Sequence, residues 1–202
     1  MIIKKLYGIL IILGCCLPSS SIAQIGIQPQ LVLPTGYMGA ILKKAPGISI
    51  GSIENFDEKW RTRIYGNLIY FTPRREVFNI YSYSIEGNTE TVYPGTQEIN
   101  LYLNASFSMG VDRRILGSGN FNWFIGGDLT TGITLRQFES NIPNVVTSSE
   151  FDGLPFIGIR GRTGLDYSFD DFSIFIDFTR TYYLNTEASF LSYNDLGLGV
   201  RF

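Results

Sequence analysis

Glu98-Ile-Asn-Leu-Tyr-Leu-Asn-Ala-Ser-Phe-Ser-Met-Gly-Val-Asp112 governs how this chain is read. Ile99, Leu101, Leu103, Ala105, Phe107, Met109 and Val111 occupy one parity. Glu98, Asn100, Tyr102, Asn104, Ser106, Ser108, Gly110 and Asp112 occupy the other. Side chains alternate between the faces of a strand, so this is a long strand with one apolar and one polar face. The pattern recurs. In 121–136 Phe121, Trp123, Ile125, Leu129, Ile133 and Leu135 oppose Asn122, Gly126, Asp128, Thr130, Gly132, Thr134 and Arg136. In 155–169 Ile157, Ile159, Leu165, Tyr167 and Phe169 oppose Gly158, Arg160, Arg162, Gly164, Asp166 and Ser168. Segments 60–70 and 172–184 split in the same way, and no segment after residue 24 has the helical period.

Connections of unequal length separate these runs. Asp170-Asp171, Leu116–Asn120 and Glu54–Glu58 are short, whereas 73–96 and 139–152 are long. Placing the short turns at one end predicts an all-β fold, an eight-stranded antiparallel up-and-down barrel. Its strands are expected near 36–43, 47–53, 59–71, 97–114, 120–138, 154–169, 172–185 and 190–202. Residues 25–34, with Pro29 and Pro34, read as an extended lead-in, and Lys43–Gly47 as a short outer loop. Short turns at one end and longer loops at the other are the plan of an outer-membrane barrel. Several strands exceed the roughly 9–11 residues that a tilted spanning strand needs. Their surplus is expected to project, with Val77 to Tyr83 as one side of a hairpin arm.

Two features put the apolar face outside. Gly110, Gly126, Gly132, Gly158, Gly164, Gly197 and Gly199 lie on the polar face, against Gly66, Gly127 and Gly161 on the apolar one. The inside of an eight-stranded barrel is barely wide enough for side chains, so small residues belong there. Trp60, Phe121, Trp123, Tyr167, Phe169, Phe172 and Phe202 are all in the apolar phase near the short-turn end, as an interfacial aromatic girdle requires. The polar face then carries Arg61, Arg63, Arg160, Arg162 and Arg201 against Glu98, Asp112, Asp128, Asp166, Asp177 and Asp195. Enclosed charge is costly unless paired, so this near-balance predicts a structural lumen network; a gate of mobile salt bridges is the sharper reading.

The chain ends agree with export. Met1 to Gln24 has the anatomy of a cleaved signal peptide: Lys4 and Lys5, an apolar run over Leu6–Leu13, and Ile22-Ala23-Gln24 as the cleavage region. The domain organisation expected is 1–24 signal and 25–202 barrel. Both cysteines, Cys15 and Cys16, fall in the signal, where Ile12-Leu-Gly-Cys15 loosely matches a lipoprotein box; acylation of Cys15 is the competing reading. The formal charge of the whole chain is −2, and 14 basic against 18 acidic residues leaves −4 without the leader. That disfavours nucleic acid as a partner.

The chain contains no histidine, which removes a Ser-His-Asp site. No nucleophile elbow or phosphate loop occurs. Glu54, Asp57 and Glu58 share one turn but lack the spacing of a calcium loop. No enzymatic activity, catalytic residue, metal or cofactor is expected.

With Ile22-Ala23-Gln24, the alternating strands and the ending Gly197-Leu-Gly-Val-Arg-Phe202 in view, the chain resembles a small porin-family outer-membrane β-barrel domain of the type found in Bacteroidota. The resemblance implies an integral protein of the bacterial outer membrane, in contact with outer-membrane lipid. It also implies that Gly197, Val200 and Phe202 are read by the barrel-assembly machinery. A structural or interaction component is the function expected. A narrow channel for small or apolar solutes, an accessory subunit with an envelope-complex partner, and a soluble ligand-binding barrel are the alternatives.

Overall fold

The computed structural model describes residues 23–74, 77–86, 89–142, 146–184 and 192–202. Of the expected signal, 1–24, residues 1–22 lie outside the described residues, and so does the question of Cys15; Gln24 is the first residue of β1. Nine strands and one short helix follow each other. They are β1 (Gln24–Thr35), α1 (Gly36–Ile41), β2 (Ala45–Asn55), β3 (Trp60–Tyr70), β4 (Val77–Glu86), β5 (Thr89–Ser118), β6 (Phe121–Ile142), β7 (Val146–Ser168), β8 (Ser173–Tyr183) and β9 (Ser192–Arg201).

Eight of the strands form a closed antiparallel ring. The order runs β3-β2-β1-β9-β8-β7-β6-β5, and β5 pairs back onto β3 from Trp60↔Arg113 to Tyr70↔Leu103. Closure leaves no free edge within the ring. β1 and β9 meet antiparallel, Gly26 opposite Arg201. The ladder ends on Phe202, whose N–H donates to the Ile25 carbonyl at 2.9 Å while the Ile25 N–H donates to the Phe202 carbonyl at 3.0 Å. The short turns, the start of β1 and the end of β9 share one end, as the alternation of loop lengths implied.

The first strand is not where the sequence reading put it. The expected lead-in is β1, and the stretch expected as strand 36–43 is α1 with the turn after it. Two prolines argued against a strand at 25–34, since proline lacks the N–H donor. In the barrel Pro29 falls at a gap in the ladder to β9, between Ile27↔Val200 and Gln30↔Gly197: the paired bonds of Ile25 with Phe202 put position 29 in hydrogen-bonding register with β9, and the missing N–H costs the ladder one bond that the strand tolerates. Gly36 then adopts φ +59°, a left-handed conformation that costs other residues free energy, and turns the chain into α1. The helix tucks Met38 inward, and Leu42 follows it.

The loops at the other end are largely strand. β4 pairs with Thr89–Glu98 of β5, which is the projecting arm expected from Val77 to Tyr83. Segment 139–152, expected as a long loop, is the continuation of β6 to Ile142 and of β7 from Val146. Its polar composition suits strands wetted on both faces above the barrel. β4, β5, β6 and β7 thus rise as a four-stranded wing from one arc of the rim.

The faces are assigned as the glycines and aromatics required. Ile125 is 50% exposed and Leu129 68%, whereas Arg160 and Asp128 are 5% exposed. A soluble barrel with an apolar interior would show the reverse, and that alternative is excluded. The lumen glycines are steric necessities. A Cβ on Gly126 would collide with the Asp112 carboxylate and the Val111 carbonyl, whereas one on the outward-facing Gly161 would meet open space. Gly126→Ala should therefore destabilise the barrel by about 1–3 kcal/mol, and Gly161→Ala by less than about 0.5 kcal/mol. Urea unfolding of the refolded barrel, followed by the gel mobility of the folded form, checks the difference; equal losses would contradict the facing.

Candidate functional site

Five arginines and five aspartates meet in the half of the lumen nearer the short turns, and each aspartate lies opposite at least one guanidinium. Arg201 Nη2 donates to Asp166 Oδ2 at 2.9 Å, and Arg61 Nη1 reaches the same oxygen at 2.6 Å. Arg61 Nε also donates to Asp112 Oδ2 at 2.8 Å. Arg162 bridges Asp112 and Asp177. Arg63 grips Asp128 with two donors, Nε at 2.8 Å and Nη2 at 2.5 Å, and lies 3.6 Å from Asp177. The planar guanidinium fork suits such two-pronged contacts. The pairs form one zigzag from Arg201 to Asp128.

Arg160 extends the lattice. It donates to Asp195 Oδ2 at 3.3 Å, to Ser108 Oγ at 3.0 Å and to Asn67 Oδ1 at 3.2 Å. Asn67 in turn accepts from Ser49 of β2, and Gln28 of β1 donates to Asp177 at 3.3 Å. Every strand of the ring supplies at least one member. Arg61 also lies over the Phe124 ring at 3.4 Å from its centroid, a cation–π contact on the one side not occupied by carboxylates.

Ten of the eleven lumen charges expected from sequence are in this lattice. The eleventh, Glu98, is not. β5 carries a bulge between Ile99 and Leu101, and the extra residue flips the parity of everything beyond it. Ile99 turns inward against the buried cluster, and Glu98 is exposed on the wing opposite Glu139. Removing Glu98 makes the lattice five against five, a neutral set, which is the condition for enclosing so many charges.

The outer half of the lumen was not foreseen. There Val32, Met38, Leu42, Ala45, Ile69, Phe71, Tyr102, Phe156, Tyr183 and Tyr193 form a packed apolar cluster. The Phe156 and Tyr183 ring centroids are 4.3 Å apart, and Phe71 meets Tyr102 edge-on at 5.8 Å. Asn104 donates to the Tyr183 hydroxyl at 2.8 Å and so joins the two halves. The available signal was Tyr102, Phe156 and Tyr183 standing in the polar phase of their strands, where rings must point inward.

On the exterior the aromatic girdle stands at the short-turn end. Trp60, Phe121, Trp123, Tyr167 and Phe169 are exposed, and Phe172 is half-buried because it stacks on Phe169 at 4.5 Å. The Trp123 indole N–H donates to Thr163 Oγ1 at 2.8 Å. Within the ending of β9, Gly197 faces the lumen and packs on Gln28, while Phe202 faces outward and Val200 is half-buried. In the turn after β2 the Asp57 carboxylate accepts from the Lys59 and Trp60 backbone N–H groups at 2.6 and 2.8 Å. These bonds, the Lys59 one first, hold Asp57 below its usual 3.8, so the turn is strengthened above that value and loses the contribution as pH falls. The three acids of this turn, Glu54, Asp57 and Glu58, form no metal cluster among the described residues.

No family model matches the chain, and no curated protein matches it. Among solved structures it is similar to Neisserial surface protein A, with a TM-score of 0.53 and 11% identity over 89% of this chain and 95% of that one. A major outer membrane protein from Thermus thermophilus gives a TM-score of 0.53 at 9% identity, over 90% of this chain and all of that one. The fold is that of the eight-stranded outer-membrane β-barrels. At these identities the likeness is one of fold.

Removing one member of the lattice strands its partners. Asp112→Ala leaves Arg61 and Arg162 sharing too few carboxylates in a closed lumen, and a loss of about 3–5 kcal/mol is expected. Glu98→Gln, on the exposed wing, should change stability by less than about 0.5 kcal/mol. Unfolding midpoints of the two variants in detergent measure this, and a Glu98 variant as damaged as the Asp112 variant would place Glu98 in the lattice after all.

Proposed function

We propose that this chain is an integral protein of the bacterial outer membrane that does no enzymatic chemistry and serves as a structural or interaction component of the envelope. One observation carries the reading: a lumen filled across its whole section by paired charge and, above it, by rings. The lattice side chains are between 0% and 6% exposed, so no water-wide path touches them. Every lattice carboxylate is engaged by a guanidinium through at least one oxygen, and the oxygens left without a partner, on Asp112, Asp166 and Asp195, are sealed from solvent, which suits a filling role better than that of a general base. Transport through the centre would require breaking the lattice.

The apolar exterior and the aromatic girdle suit a lipid surround, and the similarity of fold to outer-membrane barrels supports the same location. Met1–Gln24 would direct export. Gly197, Val200 and Phe202 would engage the barrel-assembly machinery, with Phe202 held by its paired bonds to Ile25. The finer reading is a porin-family barrel of the Bacteroidota type. The wing of β4 to β7, standing above the rim with solvated faces, is the part suited to an envelope-complex partner.

Purified barrel in a planar bilayer should give no steady unitary currents. Their appearance would favour the channel reading and overturn the closed-lumen function. In cells, carbonate washing should leave the chain in the membrane pellet. Deleting Phe202 should lower the amount of folded barrel in the outer membrane with synthesis and export unchanged; normal levels would remove the assembly role of that residue.

A further inference from the structure

The rim of the barrel is divided by charge. On the wing, Glu98, Glu139 and Glu150 are exposed carboxylates. Beside the foot of that wing, where β1 to β3 end, the exposed charges among the described residues are Lys43, Lys44 and Arg74. These cations come from two separate connections that the backbone ties together. Leu42 bridges Pro73, the Lys43 N–H donates to the Thr72 carbonyl at 2.8 Å, and the Arg74 N–H donates to the Ile41 carbonyl at 2.6 Å. The Arg74 side chain adds a third bond to the two that make this bridge, Nε to the Leu42 carbonyl at 3.1 Å. That bond parks the guanidinium beside the two lysines. Among the described residues, none of the three has a carboxylate within ion-pair distance.

Three cations on one platform, without a carboxylate partner among the described residues, repel each other, although the chain as a whole carries more acids than bases. What lies directly beneath the platform is apolar. Ile48 and Ile50 of β2, Leu68 and Tyr70 of β3, and Leu31 of β1 are outward and exposed. Further along the same arc, Arg180 of β8 also faces outward. It donates to the Tyr182 hydroxyl and, at 3.1 Å, to Asn194 Oδ1, and among the described residues it too lacks a carboxylate. A guanidinium at the edge of an apolar belt sits where an anionic headgroup would attract it.

Cations above, grease below, on the outside of a barrel, match one kind of ligand: a lipid whose headgroup carries phosphate. We propose that the Lys43, Lys44 and Arg74 platform binds the phosphorylated headgroup of an outer-leaflet glycolipid, with the acyl chains lying against β1 to β3. The proposal rests on the outer-membrane reading above. A soluble polyanion would need the cations but not the apolar belt, so the lipid is the occupant the arrangement favours.

The test uses the full barrel refolded in detergent and transferred to phosphatidylcholine vesicles with or without bisphosphorylated lipid A. Native mass spectrometry and vesicle partitioning read the bound lipid. Lys43→Gln with Lys44→Gln leaves the backbone ties and the Arg74 bond in place, and gel mobility reports that the variant is folded. The wild-type barrel should retain the phosphorylated lipid, and the double variant should bind it about 25-fold less well, at about fivefold per lysine. Equal retention by both forms, or equal retention of lipid A stripped of phosphate, would overturn the proposal. Binding of a soluble sulfated oligosaccharide as strongly as the lipid, lost in the same variant, would overturn the lipid assignment. A barrel that inserts into phosphatidylcholine yet shows no phosphate preference refutes this inference alone, whereas failure to insert refutes the membrane reading beneath it.

Discussion

A lattice of guanidinium and carboxylate groups inside the ring dictates the rest of the molecule. A closed sheet of eight strands leaves an interior that side chains must fill, because neither a water column nor a void is compatible with so narrow a bore. Most outward residues of the strands are apolar, as a lipid surround would require, so the inward residues carry most of the polarity. Arginine and aspartate satisfy both demands together. Long guanidinium arms from β3 and β7 span the lumen, and short carboxylates on β5, β6, β8 and β9 receive them. Neutrality is essential, since one surplus charge would be left without a partner in a low-dielectric space.

That lattice explains the glycines. A carboxylate or an amide can reach across the lumen only where the neighbouring strand presents no side chain. Gly110 lies against Asp128, Gly126 against Asp112, Gly164 against Asp177 and Gly197 against Gln28. Each glycine is thus half of a pair whose other half is polar and reaches over it. The outer half of the lumen solves the same filling problem differently. Rings and aliphatic groups close it, with α1 folded in to supply Met38, and the Tyr183 hydroxyl there turns toward a polar partner, Asn104. The two tiers together make the barrel a solid post rather than a tube.

A solid post places its variable chemistry at the ends. The short-turn end carries a belt of exposed rings. The other end is asymmetric, with an acidic wing on the β4 to β7 arc and a basic platform at β1 to β3. These two surfaces adjoin, because β5 of the wing pairs with β3 and Val77, three residues after Arg74, pairs with Glu98, and they present different charges to whatever lies beside or above the barrel.

Much of this was legible along the chain. Alternation at 98–112, 121–136 and 155–169 showed that the strands are two-faced, and glycine on the polar parity showed which face is inside; both follow from a local period of two and need no long-range information. The near-balance of five arginines against six acids on that parity included all ten lattice members, with Glu98 in excess. Other features arise only in the folded ring. The bulge at Asn100 flipped Glu98 out of the lumen, because parity counts break wherever one residue goes unpaired. Residues 24–35 became the first strand despite their prolines, because the ring needed a partner between β2 and β9. The convergence of Lys43, Lys44 and Arg74 was likewise set by bonds between two connections that no local pattern records, since pairing of the strands beneath is what brings those connections together.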